Sequence, residues 1–234
     1  MKLYPLEPSS RLATNIVQIS KKIMMNVLIK GVDTADSDCL VVIGDGTPDD
    51  IAFSIIAFHL NGDKITGIVK PKTEKRDTCI DLIPTYLKGN IRKILILMDQ
   101  EDDPLNAIYK RIQKDLEKFT TGKIEVIEED TVERLRIYKG RYVNKEFELI
   151  LVINGLDEIH TDKHSIEDHL LKAAEKVSIA VGDFENAKAA WKSLSNDQQL
   201  KIFKELREHR KLVEAVFLQH VQGCQYIKRS TRES

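Results

Sequence analysis

The sequence predicts an α/β layer fold, a parallel sheet with helices on both faces. Three observations carry this. Short unbroken apolar runs, CLVVI at 39–43, ILILM at 94–98 and FELILVI at 147–153, alternate with longer segments of helical spacing. Runs without polar alternation suit strands covered on both faces. The first two runs pass through an acidic turn straight into a helical pattern, as the opening of a βα unit does. After Gly155 the strand signals stop and only helical periodicity continues.

Taken in order, residues 10–31 read as a helix. Leu12, Ile16, Ile19, Ile23 and Val27 recur at three and four, a serine at 9 or 10 caps them, and Gly31 stops them. The run 39–43 is a strand, and GDGTPDD leads from it into the helix IAFSIIAFHL. Pro48 suits the first turn of that helix, and Asp49 and Asp50 suit its positive end. A strand at 65–69 follows, then a helix at 74–88 broken near Pro84. The strand 94–98 precedes a helix from Pro104 to Phe119, stopped by Gly122. Strands follow at 123–128, 134–139 and 147–153. The last two form a hairpin, and the last is apolar enough to lie centrally. Helices are expected from Ser165 to Lys176, with Ser165 and Asp168 as a capping box, then at 184–193 and at 197–222. The division is thus an N-terminal helix and linker at 1–37, an α/β domain at 38–172 and a C-terminal helical extension at 173–234.

The 234 residues suffice for one sizeable core, and 36 basic against 37 acidic side chains argue against a global electrostatic grip on nucleic acid. A local basic patch stays open, and KPKTEKR supplies one: Lys70, Lys72, Lys75 and Arg76 leave a strand's carboxyl end as phosphate contacts or as a solvated loop. Cys39, Cys79 and Cys224 are far apart with no CxxC pair, so neither a zinc ribbon nor a disulfide framework is indicated. That pattern fits a reducing, cytoplasmic setting. No apolar run nears the ~18 residues that span a bilayer, and MKLYPLEPSSR lacks the apolar stretch of a signal peptide. No membrane partner is expected, while the N- or C-terminal helices offer faces for an oligomer. Abundant Ile, Lys and Glu match the bias of thermophiles.

The chemistry lies where strands end. Asp45 and Asp49 follow the strand 39–43, and Asp99 and Glu101 follow the strand 94–98. In open parallel sheets ligands bind beyond the carboxyl ends of the strands. If the two strands are neighbours, these carboxylates converge, and clustered carboxylates call for a positive charge. Hard oxygen donors of this kind suit Mg²⁺ or Mn²⁺, with waters and substrate phosphate completing the shell. The competing reading is that Asp49, Asp50 and Asp103 cap helices and that DQEDD is a solvated loop. HTDKH at 160–164 has the spacing of helical zinc ligands but lacks a third ligand, and it reads as a surface loop. Trp191, among helical apolar neighbours, reads as core.

This order of features resembles the Toprim domain of topoisomerases, DnaG-type primases, OLD-family nucleases, M5-type ribonucleases and small stand-alone prokaryotic proteins. Its E-G-x-x-D motif is matched by Asp45-Gly46-Thr47-Pro48-Asp49 with Phe53 in the following helix. Its later D-x-D is matched by Asp99-Gln100-Glu101, and its acidic helix start by Ile166-Glu167-Asp168. The resemblance spans roughly residues 38–172 and implies a Rossmann-like sheet. It also implies Asp45 as general acid or base, Asp99 and Glu101 as Mg²⁺ ligands, and phosphodiester chemistry, with nucleic-acid cleavage foremost. Two departures matter. Asp45 is one methylene shorter than the family's glutamate and Glu101 one longer than its aspartate, and a ~1 Å displacement can cost about 100-fold in rate. A non-catalytic Toprim relative that binds nucleic acid or protein is therefore the alternative, and a nucleotide hydrolase on the same scaffold a third.

Overall fold

The computed structural model describes the chain except residues 1, 6–10, 30–38, 43–46, 61–64, 70–77, 129–131, 183 and 230–234. Its strands are β1 (Lys2–Pro5), β2 (Leu28–Ile29), β3 (Cys39–Val42), β4 (Ile65–Val69), β5 (Lys93–Asp99), β6 (Glu125–Glu128), β7 (Leu135–Tyr142) and β8 (Lys145–Asn154). They form one open sheet in the order β2-β1-β4-β3-β5-β8-β7-β6. Pairing is parallel from β2 across to β8. It turns antiparallel for β8, β7 and β6. The β7–β8 hairpin is present, with β8 between β5 and β7 as its apolar sequence demands.

The helices are α1 (Arg11–Lys22), α2 (Thr47–Leu60), α3 (Thr78–Asp81), α4 (Ile83–Lys88), α5 (Leu105–Glu117), α6 (Ile166–Lys176), α7 (Ala187–Ser193), α8 (Asn196–Glu208), α9 (Arg210–Val216) and α10 (Leu218–Arg229). Strand alternation sorts the core. Ile94, Ile96 and Met98 of β5 and Leu149, Leu151 and Ile153 of β8 pack under α3, α4 and α5. Leu95 and Leu97, with Ile150 and Val152, face α1, α2 and α10. Helix α2 is apolar on nearly every side because it is buried on both flanks. Its Phe53 and Ala57 meet the sheet layer, while Ile51, Ile55, Ile56 and Leu60 meet α6, α8 and α9. Trp191 lies in that same outer layer, edge-on to Phe203 with ring centroids 5.5 Å apart.

Three expectations need correction. Residues 1–37 are not merely a helix and linker, since β1 and β2 from that segment extend the sheet. The first helix stops at Lys22 rather than near Gly31. Met24 takes a left-handed φ of 54°, and Met25 N returns to Ser20 O at 2.8 Å. Finally, 197–222 is not one helix but α8, α9 and the start of α10, broken at His209 and Phe217. No proline or glycine stands at either break. Side chains from elsewhere take the carbonyls there: His59 Nε2 lies 2.8 Å from Leu206 O, and His169 Nδ1 lies 2.5 Å from Val216 O. Side-chain insertion of this kind breaks a helical ladder without a sequence signal.

The C-terminal extension is joined to the sheet. Two of the three apolar clusters draw on all three sequence segments. Among the described residues no helix is long and apolar enough to cross a membrane. Helix α10 lies against β5 and β8 at Gly223, where an added Cβ would meet Val152 Cγ2 at 2.9 Å and Leu95 Cδ1 at 3.2 Å. A glycine inside a helix costs about 1 kcal/mol relative to alanine, and this close approach is its reason. Gly223→Val is expected to lower stability by about 2 kcal/mol in urea unfolding. An unchanged midpoint would mean that α10 does not pack this closely on the sheet.

Candidate functional site

Chain order reverses at the centre of the parallel sheet. From β3 the chain crosses to β4 on one side, then returns to β5 on the other. Ligand crevices of open α/β sheets lie at such a switch point, outside the carboxyl ends of the strands. Asp49 and Asp99 fall there. β3 and β5 are direct parallel neighbours, with Val42 opposite Ile96, and Asp99 at the end of β5 is paired in register with Asn154 at the end of β8.

Asn154 gathers the acids. Its Nδ2 donates to Asp99 Oδ1 at 2.9 Å and lies 3.5 Å from Asp49 Oδ1 in the first turn of α2. Carboxylates separated by fifty residues thus meet at one side-chain nitrogen. Asp99 Oδ1 also accepts from Ile166 N at 3.1 Å, at the positive end of α6. Burial raises the Asp99 carboxyl above its ordinary range, more than the Asn154 hydrogen bond and Lys188 can lower it.

Two further acids and one lysine complete the cluster. Glu101 sits at a left-handed φ of 56° and exchanges two backbone hydrogen bonds with His164, 2.8 and 3.0 Å long. A non-glycine residue in that region marks a backbone held by its surroundings. Lys188 of α7 reaches Glu101 Oε1 at 2.6 Å and Asp99 Oδ2 at 3.4 Å. Burial opposes its charge, but Glu101, Asp99 and Glu167 outweigh that, and its pKa is raised. Glu167, in the first turn of α6, is 7% exposed. Its Oε2 is buried with no hydrogen-bond partner among the described residues. Burial raises its carboxyl too, and Asp99 adds to the shift.

The loops carrying these groups are braced. Buried Arg134 donates to Gln100 Oε1 and Asp157 Oδ1, and Gln100 Nε2 donates to Asp103 O at 3.0 Å. Asp103 pairs with Arg111 at 3.0 Å, so it braces α5. Asp50 accepts from Asn15 Nδ2 at 3.1 Å and ties α2 to α1. Gly155, at φ 137°, has no room for a side chain, since a Cβ would sit 2.6 Å from His164 Cβ. His164 is therefore no loose surface residue. Its Nδ1 lies 2.6 Å from Oδ2 of fully buried Asp168, which also accepts from Leu156 N at 3.1 Å. The capping-box acid is present as expected, with Ser165 N donating to Asp168 Oδ1 at 3.4 Å.

Of the residues singled out from sequence, Asp49, Asp99 and Glu101 share this rim. Asp45, Lys70, Lys72, Lys75 and Arg76 lie outside the described residues. Three contributors were not assigned to the site from sequence. Asn154 closes an apolar strand just as Asp99 does, and that parallel was a usable signal. Glu167 enters from sequence only as part of the acidic helix start at 166–168, with no site role of its own. Lys188 comes from a short helix remote in sequence and carries no signal at all. A cleft of about 580 Å³ lies elsewhere, at the opposite end of β5 and β8, where Arg92, Lys123 and Lys139 share its lining with Glu125 and Glu148. Among the described residues, no three His, Cys, Asp or Glu side chains form a group that can hold a metal ion. Mg²⁺ asks less, one or two carboxylates with waters and phosphate, and a hard-oxygen rim with an orphaned Glu167 Oε2 fits that demand. No family model, curated protein or solved structure matches the chain.

Behind the rim two histidines are wholly buried. Burial pushes His169 down to about 4 and His220 well below its ordinary value, so both are neutral near pH 7. A histidine depressed in the folded state contributes stability above the unfolded pKa near 6.5, and that stability is lost as pH falls toward about 4. The raised carboxyls of Asp99, Glu167 and Asp168 act oppositely, so the sign is read by difference. Between pH 7.5 and 5 the wild type is expected to lose roughly 2 kcal/mol more than His169→Asn in urea unfolding. Equal losses would mean that His169 titrates normally.

Proposed function

We propose that this chain is a Toprim-like protein carrying out Mg²⁺-dependent chemistry at a phosphodiester, most directly cleavage of a nucleic acid. The observation that carries the reading is the convergence of Asp99, Glu101, Asp49 and Glu167 at the switch point of a mostly parallel sheet. Asp99 and Glu101 would hold the cation, with Asp49 and Glu167 beside them. A bound Mg²⁺ would stabilise charge on a phosphodiester oxygen and lower the pKa of a bound water. Asn154 and Ile166 N orient Asp99 for that role, and Lys188 supplies a positive charge at the same rim. Asp45 takes the acid or base position by resemblance alone. Lys70, Lys72, Lys75 and Arg76 are candidate contacts to the polynucleotide backbone.

One observation favours a second reading. Lys188 already neutralises Asp99 and Glu101 at 3.4 and 2.6 Å, where a cation would sit. A non-catalytic Toprim relative, binding nucleic acid or a protein through the same rim, would use that lysine as a permanent counter-ion.

Calorimetric titration with Mn²⁺ separates the two. The catalytic reading expects saturable binding that tightens as pH rises, because the raised carboxyls must release protons. It also expects binding to be lost in Asp99→Asn and strengthened in Lys188→Gln, which removes the competing charge. Cleavage of single- and double-stranded DNA and RNA is expected to fall at least about 100-fold in Asp99→Asn and Asp45→Asn. Equal Mn²⁺ binding by wild type and Asp99→Asn would remove the metal assignment. Binding without turnover on any polynucleotide would favour the second reading.

A further inference from the structure

The group that fixes Asn154 comes from the far end of the chain. Asn154 Nδ2 faces the carboxylates of Asp99 and Asp49, so its Oδ1 must accept a proton from elsewhere. His220 of α10 supplies it, with Nε2 at 2.7 Å from Asn154 Oδ1. Both residues are fully buried, so no water competes for the bond. An amide flipped end for end would turn its oxygen toward two carboxylates and its nitrogen toward a protonated ring nitrogen. His220 therefore selects one of the two amide orientations.

The ring that makes this bond is itself locked. His220 Nδ1 has no hydrogen-bond partner among the described residues, so the ring proton belongs on Nε2. His169 stands edge-on at 4.8 Å and takes the opposite tautomer. Its Nδ1 donates to Val216 O at 2.5 Å, while its Nε2 accepts from Gly155 N and Gln219 Nε2, both at 3.1 Å. Phe217 stacks on His169 at 5.1 Å and meets His220 edge-on at 5.3 Å. Gln219 Nε2 also donates to Gly155 O at 3.2 Å. With Gln219 Nε2 also 3.5 Å from Ile153 O, the backbone on both sides of Asn154 is gripped by residues of α6 and α10.

We infer that His220 is a positioning residue of the acidic site, acting through Asn154 on Asp99 and Asp49, and that α10 is consequently part of the functional unit. The affinity arm of this inference rests on the metal-site reading above; the geometric arm does not. Loss of a group that orients a metal-binding carboxylate costs about 10- to 100-fold in metal affinity.

The test uses the full chain with His220→Phe, which removes the donor, and His220→Gln, whose amide can restore it. Mn²⁺ affinity is expected to drop at least about 10-fold in His220→Phe and to recover to within about threefold in His220→Gln. Exchange protection of the Asn154 side-chain amide protons is expected to follow the same order. In the wild type, ring-nitrogen shifts are expected to show His220 protonated on Nε2 alone, a measurement that survives if a variant does not fold. By reciprocity, saturating Mn²⁺ is expected to slow backbone exchange in α10. If the wild type binds no Mn²⁺, the metal reading fails, and the Asn154 protons and the His220 tautomer still decide the geometric arm. His220 protonated on Nδ1 would overturn the inference. A folded His220→Phe with unchanged Asn154 protection and Mn²⁺ affinity would overturn it as well.

Discussion

One side-chain amide holds the acidic end of this sheet together. Asn154 stands at the last position of β8, flanked by an acid from β5 and an acid from α2, with a histidine behind it. A buried amide has fixed donors and a fixed acceptor, so a complete set of partners defines a single geometry. Here the donors serve negative charge and the acceptor is satisfied by His220 of α10. Parallel strands deliver polar termini at equal depth, and this amide converts that coincidence of depth into a cluster.

The outer helices answer two needs at once. Helix α2 is too apolar to face water, and α6, α8 and α9 bury its outer flank. The same packing brings Lys188 and Glu167 to the rim and His169 under the loop after β8, where Gln219 and His220 of α10 also meet it. Burial raises the Asp99 and Glu167 carboxyls, while Glu101 first and Asp99 and Glu167 after it raise the ammonium of Lys188, so the cluster holds charges of both signs in partial shelter from solvent. Such arrangements are common where a protein binds or transforms a charged ligand. The strained backbone of Glu101 belongs to the same region.

Much of this was legible in the residues. The apolar runs at 39–43, 94–98 and 147–153 announced strands covered on both faces, and the acids after the first two announced a rim. Ser165 and Asp168 announced the start of α6, and the apolar character of FELILVI its central place. Other parts were silent for physical reasons. KLYP is a four-residue strand ending in proline, a residue that cannot donate to a ladder, so it carries no strand signal within the segment assigned to helix and linker. The breaks at His209 and Phe217 follow from hydrogen bonds made by His59 and His169 across the fold, and local periodicity cannot record those. Lys188 lies 87 positions from Glu101, and no spacing rule links them. Asp168 was legible as a cap, but its grip on His164 and Leu156 N depends on tertiary placement.

On the proposed reading this rim holds a divalent cation against a phosphodiester. Anomalous scattering from a crystal soaked in Mn²⁺ tests it most directly. The account predicts a peak in contact with the carboxylates of Asp99 and Glu101, on the side of Glu167, with the Lys188 ammonium displaced from Asp99. A map without a peak there, in which Lys188 still bridges Asp99 and Glu101, would contradict it.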